Sequence, residues 1–206
     1  MIYPKRNKLV RIFFDWYINR IIKTNFNGVD NNDVTIDAGK SVLLIANHFS
    51  WWDGFLMYYV NQRAIKKNFH VMVIEDTVKK VSFFKYMGAF SVNKQSRDMV
   101  TSLNYAAQLL QDPENLLLIF PQGKLHSNFT DVVNFEKGLF KIMKAAAGKY
   151  QALLSATFIE NMQHEKPTAS VYLTAPAQGS FTAEDIGQVY ASHYNKALAV
   201  QSQKTA

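Results

Sequence analysis

The chain has 206 residues, a length that suits one domain with a substantial core, since domains commonly contain about 100 to 200 residues. Its 23 basic and 16 acidic residues give a formal net charge of +7, which favours anionic partners such as nucleic acid, a membrane surface or a phosphorylated cofactor. The absence of cysteine excludes disulfides, thiol nucleophiles and thiolate metal sites. The five histidines lack the spacing of metal ligands, so we predict no bound metal.

The first predicted element is a helix over residues 9–26 that is dense in aromatic and aliphatic side chains. Its polar residues recur at intervals of four and interrupt the segment too often for a bilayer span: Arg11, Asp15, Asn19 and Lys23. The neighbouring basic residues suit a helix that lies in a membrane interface, and a helix packed on the protein's own core is the alternative. The two interpretations are compatible. We divide the chain into an amphipathic interface helix, 1–26, and one domain, 27–206.

Strand and helix patterns alternate through the rest of the chain. Turn residues over 27–33 end the first helix. We predict strands at 41–47, 69–75, 88–94, 115–120, 152–159 and 170–173, and helices at 51–62, 77–86, 137–147 and 182–200. A further helix runs from a cap at Ser96 to Leu110. This alternation predicts an α/β sandwich in a single domain, with a mostly parallel or mixed sheet flanked by helices.

A histidine follows the first core strand, and a carboxylate follows that histidine five residues later. His48 can exchange a proton near neutral pH, and Asp53 is placed to orient it as in a general-base pair. The segment from Ser50 to Asp53 also fits a capping box at a helix start, in which Asp53 only caps the helix. His48, Lys94 and Gln122-Gly123-Lys124 all follow predicted strands, and the carboxyl ends of strands in such sheets are where ligands gather.

Taken together, four segments resemble the motifs of the lysophospholipid (glycerolipid) acyltransferase family, whose members transfer a fatty acyl group from coenzyme A or acyl carrier protein to a hydroxyl. Asn47-His48 with Asp53 resembles the first motif, Asn-His-x₄-Asp. The others lie at 88–94, at 120–123 with 135–138, and, faintly and without its proline, at 155–159. The resemblance covers residues 42–161 and implies that His48 is the general base and Asp53 its orienting partner.

We expect substrate-binding residues at these motifs, namely Asn47, Lys94, Gln122 and Gly123, and two more beside the third motif that could supply contacts missing from it, Lys124 and His126. Several have ordinary alternatives, because Gly123 also suits a plain turn, Lys94 a solvated face and His126 a loop without a role. Trp51 and the aromatic residues after it suit either an acyl-chain tunnel or the core.

Departures from the family pattern concern the acyl acceptor. Gln122 stands where the family has Glu, Lys124-Leu125 where it has Thr-Arg, and Lys94 where it has Arg. Arginine grips a phosphate through two parallel hydrogen bonds, which lysine does not reproduce. We therefore expect an acceptor other than lysophosphatidate or glycerol 3-phosphate, such as an uncharged or differently charged hydroxyl lipid.

The resemblance implies an acyltransferase that uses acyl-CoA or acyl-ACP as donor, binds no cofactor and acts at an anionic membrane surface, cytoplasmic and peripheral on the inner face. The alternative is a non-catalytic lipid-binding or acyl-carrier-binding protein on the same fold. Nucleic-acid binding is not expected, because no recognition motif accompanies the positive charge.

Overall fold

The computed structural model describes residues 1–5, 7–93, 98–130, 132–177 and 179–205. Within these ranges a mixed sheet forms the centre of the fold. Its strands are β1 (Gly28–Asn31), β2 (Ser41–Ala46), β3 (Asn68–Ile74), β4 (Ala89–Val92), β5 (Asn115–Ile119), β6 (Tyr150–Glu160) and β7 (Thr168–Thr174). They lie in the order β1-β7-β6-β2-β5-β3-β4, with β6 and β7 antiparallel and the other neighbours parallel. The predicted α/β class is confirmed.

The helices of the described ranges cover both faces of the sheet. They are α1 (Lys8–Asn25), α2 (Asp53–Val60), α3 (Glu75–Lys80), α4 (Asp98–Leu109), α5 (Gly138–Ala145) and α6 (Ile186–Gln201). α2 continues into a π-helical turn, Asn61–Ile65, and a 3₁₀ helix, Ser82–Met87, follows α3. None of these helices is long and apolar enough to span a bilayer.

Alternating side chains of β2 explain how the two layers of helices are held. Leu43 and Ile45 belong to a core cluster that includes residues of α4, α5 and α6. Val42 and Leu44 point to the opposite face, into a cluster with residues of α1 and α2. Because successive side chains of a strand point to opposite faces, a strand that is buried on both sides is apolar throughout. β2 and β5 are neighbours in the middle of the sheet, so the segments that follow them leave the sheet side by side.

Helix α1 has two apolar faces. Ile18 and Ile22 are buried against the protein. A second set of large apolar side chains, spaced three or four residues apart on the other side of the helix, is exposed: Leu9, Ile12, Phe13, Trp16 and Tyr17. Part of the predicted polar stripe lies between α1 and α2, where Asp15 accepts hydrogen bonds from Tyr58 and Gln62. Burial and the Asp15 contact raise the pKa of Tyr58 well above its usual value.

Several predicted boundaries are wrong. Residues 28–31, predicted as a turn, form the edge strand β1, because pairing with β7 outweighs the turn preference of the sequence. The helix predicted over 51–62 begins at Asp53 and changes to π-helical geometry at Asn61. The segment 77–86 divides between α3 and the 3₁₀ helix. The predicted cap at Ser96 lies outside the described residues.

Candidate functional site

The candidate site forms where β2 and β5 end. These strands are parallel neighbours, with Ile45 beside Ile119. The segment that follows β2 carries His48, and the segment that follows β5 carries Gln122 and Gly123, so both enter the same edge of the sheet. This adjacency brings together two motifs that are about seventy residues apart in the sequence.

His48 and Asp53 are in direct contact. The distance from His48 Nδ1 to Asp53 Oδ2 is 2.8 Å. The same carboxylate oxygen accepts the backbone N–H groups of Phe49, at 2.7 Å, and Ser50, at 2.8 Å. Because an ionised carboxylate only accepts hydrogen bonds, Nδ1 of His48 donates in this geometry and Nε2 carries the lone pair. The arrangement can therefore orient an imidazole that removes a proton from a substrate.

The helix-cap interpretation also holds in part. Asp53 is the first residue of α2, whose N-cap position is Trp52 and carries no side-chain cap, and the Ser50 N–H donates to Asp53 in the turn before the helix, as in one half of a capping box. The Ser50 hydroxyl accepts the N–H of Trp52 at 3.1 Å instead of completing the box at Asp53. The capping contact and the His48 contact use the same oxygen, so the helix start holds Asp53 in place against the histidine.

The backbone and ring of His48 are fixed on several sides. Gln122 Oε1 accepts the His48 N–H at 2.7 Å, and the N–H of His126 donates to the His48 carbonyl at 2.9 Å. The imidazole lies nearly parallel to the Phe120 ring, with 4.1 Å between the ring centroids. Gln122 is buried, and a neutral amide oxygen suffices for the bond that it makes. The replacement of Glu by Gln at this position is thus compatible with an ordered histidine.

Asn47 connects the end of β2 to β6. Its amide nitrogen donates to the Thr157 carbonyl and its amide oxygen accepts the Thr157 N–H, both at 2.9 Å. Both ends of this buried amide are therefore engaged by the backbone of β6. In this structure Asn47 holds the strand end from which His48 projects.

Gly123 occupies a tight turn beside the histidine. Its φ of +65° lies in the left-handed region that favours glycine, and its N–H donates to the Phe120 carbonyl at 3.1 Å. Gly123 and Lys124 both line the cavity that also contains His48. Lys94 lies outside the described residues.

A cavity of about 1080 Å³ opens beside His48. This volume is slightly above the range of about 300 to 1,000 Å³ that is common for small-molecule sites. Its wall is mainly apolar and is formed by residues of α2, β3, α3, the 3₁₀ helix, β4, α4 and α5 together with the segments that follow β2 and β5. The lining includes Trp51, Phe55, Val71, Val73, Phe84, Met87, Val92, Met99, Leu103, Ile119, Phe120, Leu125, Phe135 and Leu139.

Charged lining residues of the cavity are Lys80, Lys124, Glu136 and Lys137, and all four are exposed. The charge therefore lies where the cavity meets solvent, and the interior can hold an apolar chain. Among residues 1–5, 7–93, 98–130, 132–177 and 179–205, no three His, Asp or Glu side chains are grouped as ligands of a metal ion.

Sequence reasoning missed several residues that support the site. Phe120 belongs to the motif segment 120–123, but the sequence does not predict its stacking on His48, because that contact depends on the adjacency of β2 and β5. The fully buried Tyr190 of α6 donates its hydroxyl to the Ser155 carbonyl at 2.7 Å, and burial raises its pKa. No local sequence signal distinguishes Tyr190 from the other apolar positions of α6. Phe55, which the sequence left between core and tunnel, is both buried and part of the cavity wall.

Comparison with known proteins gives the same family as the motifs. The family model described as Acyltransferase matches residues 26–159, more than half of the chain. The matched region contains both strands that carry the His48 site. The chain belongs to this acyltransferase family.

A curated relative is the 1-acyl-sn-glycerol-3-phosphate acyltransferase of Streptococcus pneumoniae (strain ATCC BAA-255 / R6), which is 25% identical over 101 residues. The alignment covers 48% of this chain and 37% of that protein, so the chain matches little more than a third of the relative's length. The crystal structure of the pilus retraction motor PilT with bound ADP is 9% identical, with a TM-score of 0.34, over 81% of this chain and 55% of that chain. This structural likeness is too low to carry an argument.

Proposed function

We propose that the protein transfers a fatty acyl group from an acyl thioester, acyl-CoA or acyl-ACP, to the hydroxyl of a lipid. The observation that carries this proposal is the contact between His48 Nδ1 and Asp53 Oδ2, 2.8 Å, at the wall of an apolar cavity. His48 Nε2 takes the proton of the acceptor hydroxyl as its oxygen attacks the thioester carbonyl. The tetrahedral intermediate then expels the thiolate, and the imidazolium of His48 returns the proton to the sulfur.

Asp53 stabilises the charge that forms on His48 during this step. Its side chain is only 3% exposed, whereas that of His48 is 24% exposed, so the carboxylate acts from a shielded position on a base that substrate can reach. Attraction between opposite charges is stronger where water is excluded. Proton transfer by a positioned base contributes a factor of about 10² to 10⁴ in rate.

The acceptor is proposed to be a hydroxyl lipid other than lysophosphatidate. Leu125 lines the cavity at the position where the family motif has arginine, and Lys124 beside it is an exposed point charge. An apolar side chain at this place provides no bidentate grip on a phosphate. A lipid whose group next to the hydroxyl is uncharged, or carries a different charge, fits this lining better.

The site works, in this proposal, at an anionic membrane surface to which α1 binds. The exposed face of α1 presents Phe13, Trp16 and Tyr17, and Arg20 lies over the Trp16 ring at 5.8 Å. Aromatic side chains beside arginine and lysine are typical of helices that lie in the interface of a bilayer. The buried Ile18 and Ile22 attach the same helix to the domain. In this proposal one face of α1 binds the membrane and the opposite face packs on the domain.

The test is acyl transfer from a labelled acyl donor to a total lipid extract, with the product identified by mass spectrometry. His48→Ala is expected to abolish product formation, because it removes the base while the cavity and the sheet remain. His164→Ala, at an exposed turn histidine, is the matched control and is expected to leave transfer unchanged. Full transfer by His48→Ala would contradict the mechanism. Donor binding without transfer by the wild-type protein would favour the non-catalytic alternative.

A further inference from the structure

The loop after Lys124 carries large apolar side chains that the protein itself does not cover. Phe129 is 96% exposed, and Leu125 and Val132 are each 55% exposed. Single exposed apolar residues are ordinary on protein surfaces, but a group of them beside a ligand cavity marks an interaction site. The group here adjoins the cavity, because Leu125 lines it.

Hydrogen bonds hold this loop in a defined shape. The N–H of Phe129 donates to the Ser127 hydroxyl and the N–H of Thr130 to the Ser127 carbonyl, both at 3.1 Å. On the far side of Phe129, the Thr130 carbonyl accepts the Tyr194 hydroxyl at 3.0 Å. Phe129 is therefore projected into solvent by a structured turn.

The near end of the loop is attached to the proposed base. The N–H of His126 donates to the backbone carbonyl of His48 at 2.9 Å. A surface that receives Phe129 would thereby also set the position of His48 relative to that surface.

The surroundings of the loop indicate what covers it. Trp51 and Ile74 line the same cavity as Leu125 and are 54% and 43% exposed, so the cavity opening is apolar. Exposed Lys80, Lys124 and Lys137 flank that opening together with one carboxylate, Glu136, so three of its four charged side chains are cationic. Apolar side chains bordered by cations are complementary to an anionic bilayer, whose headgroups attract lysine and whose acyl region receives aromatic rings.

A series of aromatic ring contacts also connects the cavity lining with α1. Trp51 lies 5.8 Å from Phe84, Phe84 lies 5.0 Å from Phe83, and Phe83 stacks on Phe14 of α1 at 4.9 Å, measured between ring centroids. Trp51 and Phe84 line the cavity, and Phe14 lies 5.3 Å from the exposed Phe13, so these ring contacts connect the exposed face of α1 with the cavity wall.

We propose that the loop 125–130, with Phe129 at its tip, is a second membrane-contacting surface that enters the interface of an anionic bilayer beside the cavity opening. The inference builds on the proposed function, since it places the cavity opening against the membrane that holds the lipid acceptor. The membrane contact itself is measured without turnover, so the two proposals can fail separately.

The absence of cysteine makes a site-specific probe possible. A polarity-sensitive fluorophore is attached to Phe129→Cys and, as a matched control, to Val200→Cys, at an apolar residue of α6 that is 53% exposed. On vesicles of phosphatidylglycerol and phosphatidylcholine, the probe at 129 is expected to shift to the blue and brighten, and the probe at 200 to stay unchanged. Vesicle binding without a response at 129 would overturn the proposal. The proposal would also be overturned if, without vesicles, acyl carrier protein or a raised protein concentration caused the same fluorescence change of the probe at 129.

A second measurement uses unlabelled protein. Phe129→Ser is expected to lower the partition coefficient onto anionic vesicles about tenfold, because the transfer of one aromatic ring from water is lost. Val200→Ser is expected to have no effect. Both measurements are repeated with His48→Ala, in which the response at 129 should persist. An unchanged partition coefficient for Phe129→Ser would count against the loop even if transfer by the wild-type protein depends on His48.

Discussion

Substitution of Asp53 by Asn separates the charge of the carboxylate from its geometry. The three donors that reach Asp53, from His48, Phe49 and Ser50, all end on Oδ2. An asparagine whose amide oxygen occupies the Oδ2 position can accept the same three bonds. The orientation of His48 and the turn that leads into α2 are then retained, and the negative charge is lost.

The structure also sets the expected magnitudes for Asp53→Asn. Loss of the charge that stabilises the imidazolium should slow transfer by about 10² to 10⁴, or about 2.7 to 5.4 kcal/mol at about 1.36 kcal/mol for each factor of ten. The amide NH₂ would occupy the place of Oδ1, which is buried and has no hydrogen-bond partner. A buried donor without a partner costs about 1 to 3 kcal/mol of folding stability.

The assay is single-turnover acyl transfer at saturating donor, with chemical denaturation measured on the same preparations. Asp76→Asn, at an exposed residue in the first turn of α3, is the matched control and should change neither rate nor stability appreciably. A rate for Asp53→Asn within about threefold of the wild-type rate would refute the role of Asp53 charge. The role of the Asp53 charge would also be refuted if the fraction of unfolded protein accounted for the whole loss of rate.

Two further predictions concern the framework. Gly88→Ala should destabilise the fold by more than about 1 to 3 kcal/mol in denaturant titrations, since φ is +88° and a Cβ would lie 2.0 Å from the Phe69 carbonyl oxygen. The control is Gly187→Ala in α6, which should stabilise the fold slightly because no atom lies within 4 Å of the new Cβ. Equal effects of the two substitutions on stability would contradict this reasoning. Burial lowers the pKa of His193, so the unfolded chain binds more protons and stability should fall as pH drops through the unfolded value of about 6.5. In His193→Gln that pH-dependent loss of stability should shrink, and an identical pH profile in the variant would contradict the assignment.

The replacement of Glu by Gln in the third motif has a structural interpretation. Gln122 holds the His48 N–H through an oxygen that either residue would supply, so the change alters charge near the base more than its position. Leu125, in the Lys124-Leu125 departure, lines the cavity. Under the proposed function, Gln122 therefore concerns the support of His48, and Leu125 concerns what the site presents to the acceptor.

Much of the fold could be predicted because its signals are local. After their polar first residues, Ser41 and Asn115, strands β2 and β5 are apolar to their ends, as expected for strands that are buried on both faces. Strand β1 could not be predicted in the same way, since its stability comes from β7, which lies far along the chain. There Asn32 exchanges hydrogen bonds with the backbone of Leu173, at 2.9 and 2.7 Å.

For the site, the sequence by itself determined the pair of His48 and Asp53, because five residues at a strand-to-helix junction bring the two side chains together through local geometry alone. It also determined the turn at Gly123, where the backbone requires a positive φ. The tertiary structure decided what surrounds the pair. The bond from Gln122 to His48, the cavity wall and the opposite faces of α1 all depend on which strands and helices become neighbours. Which elements become neighbours depends on the apolar surface that the whole chain buries, and a short segment of sequence does not contain that information.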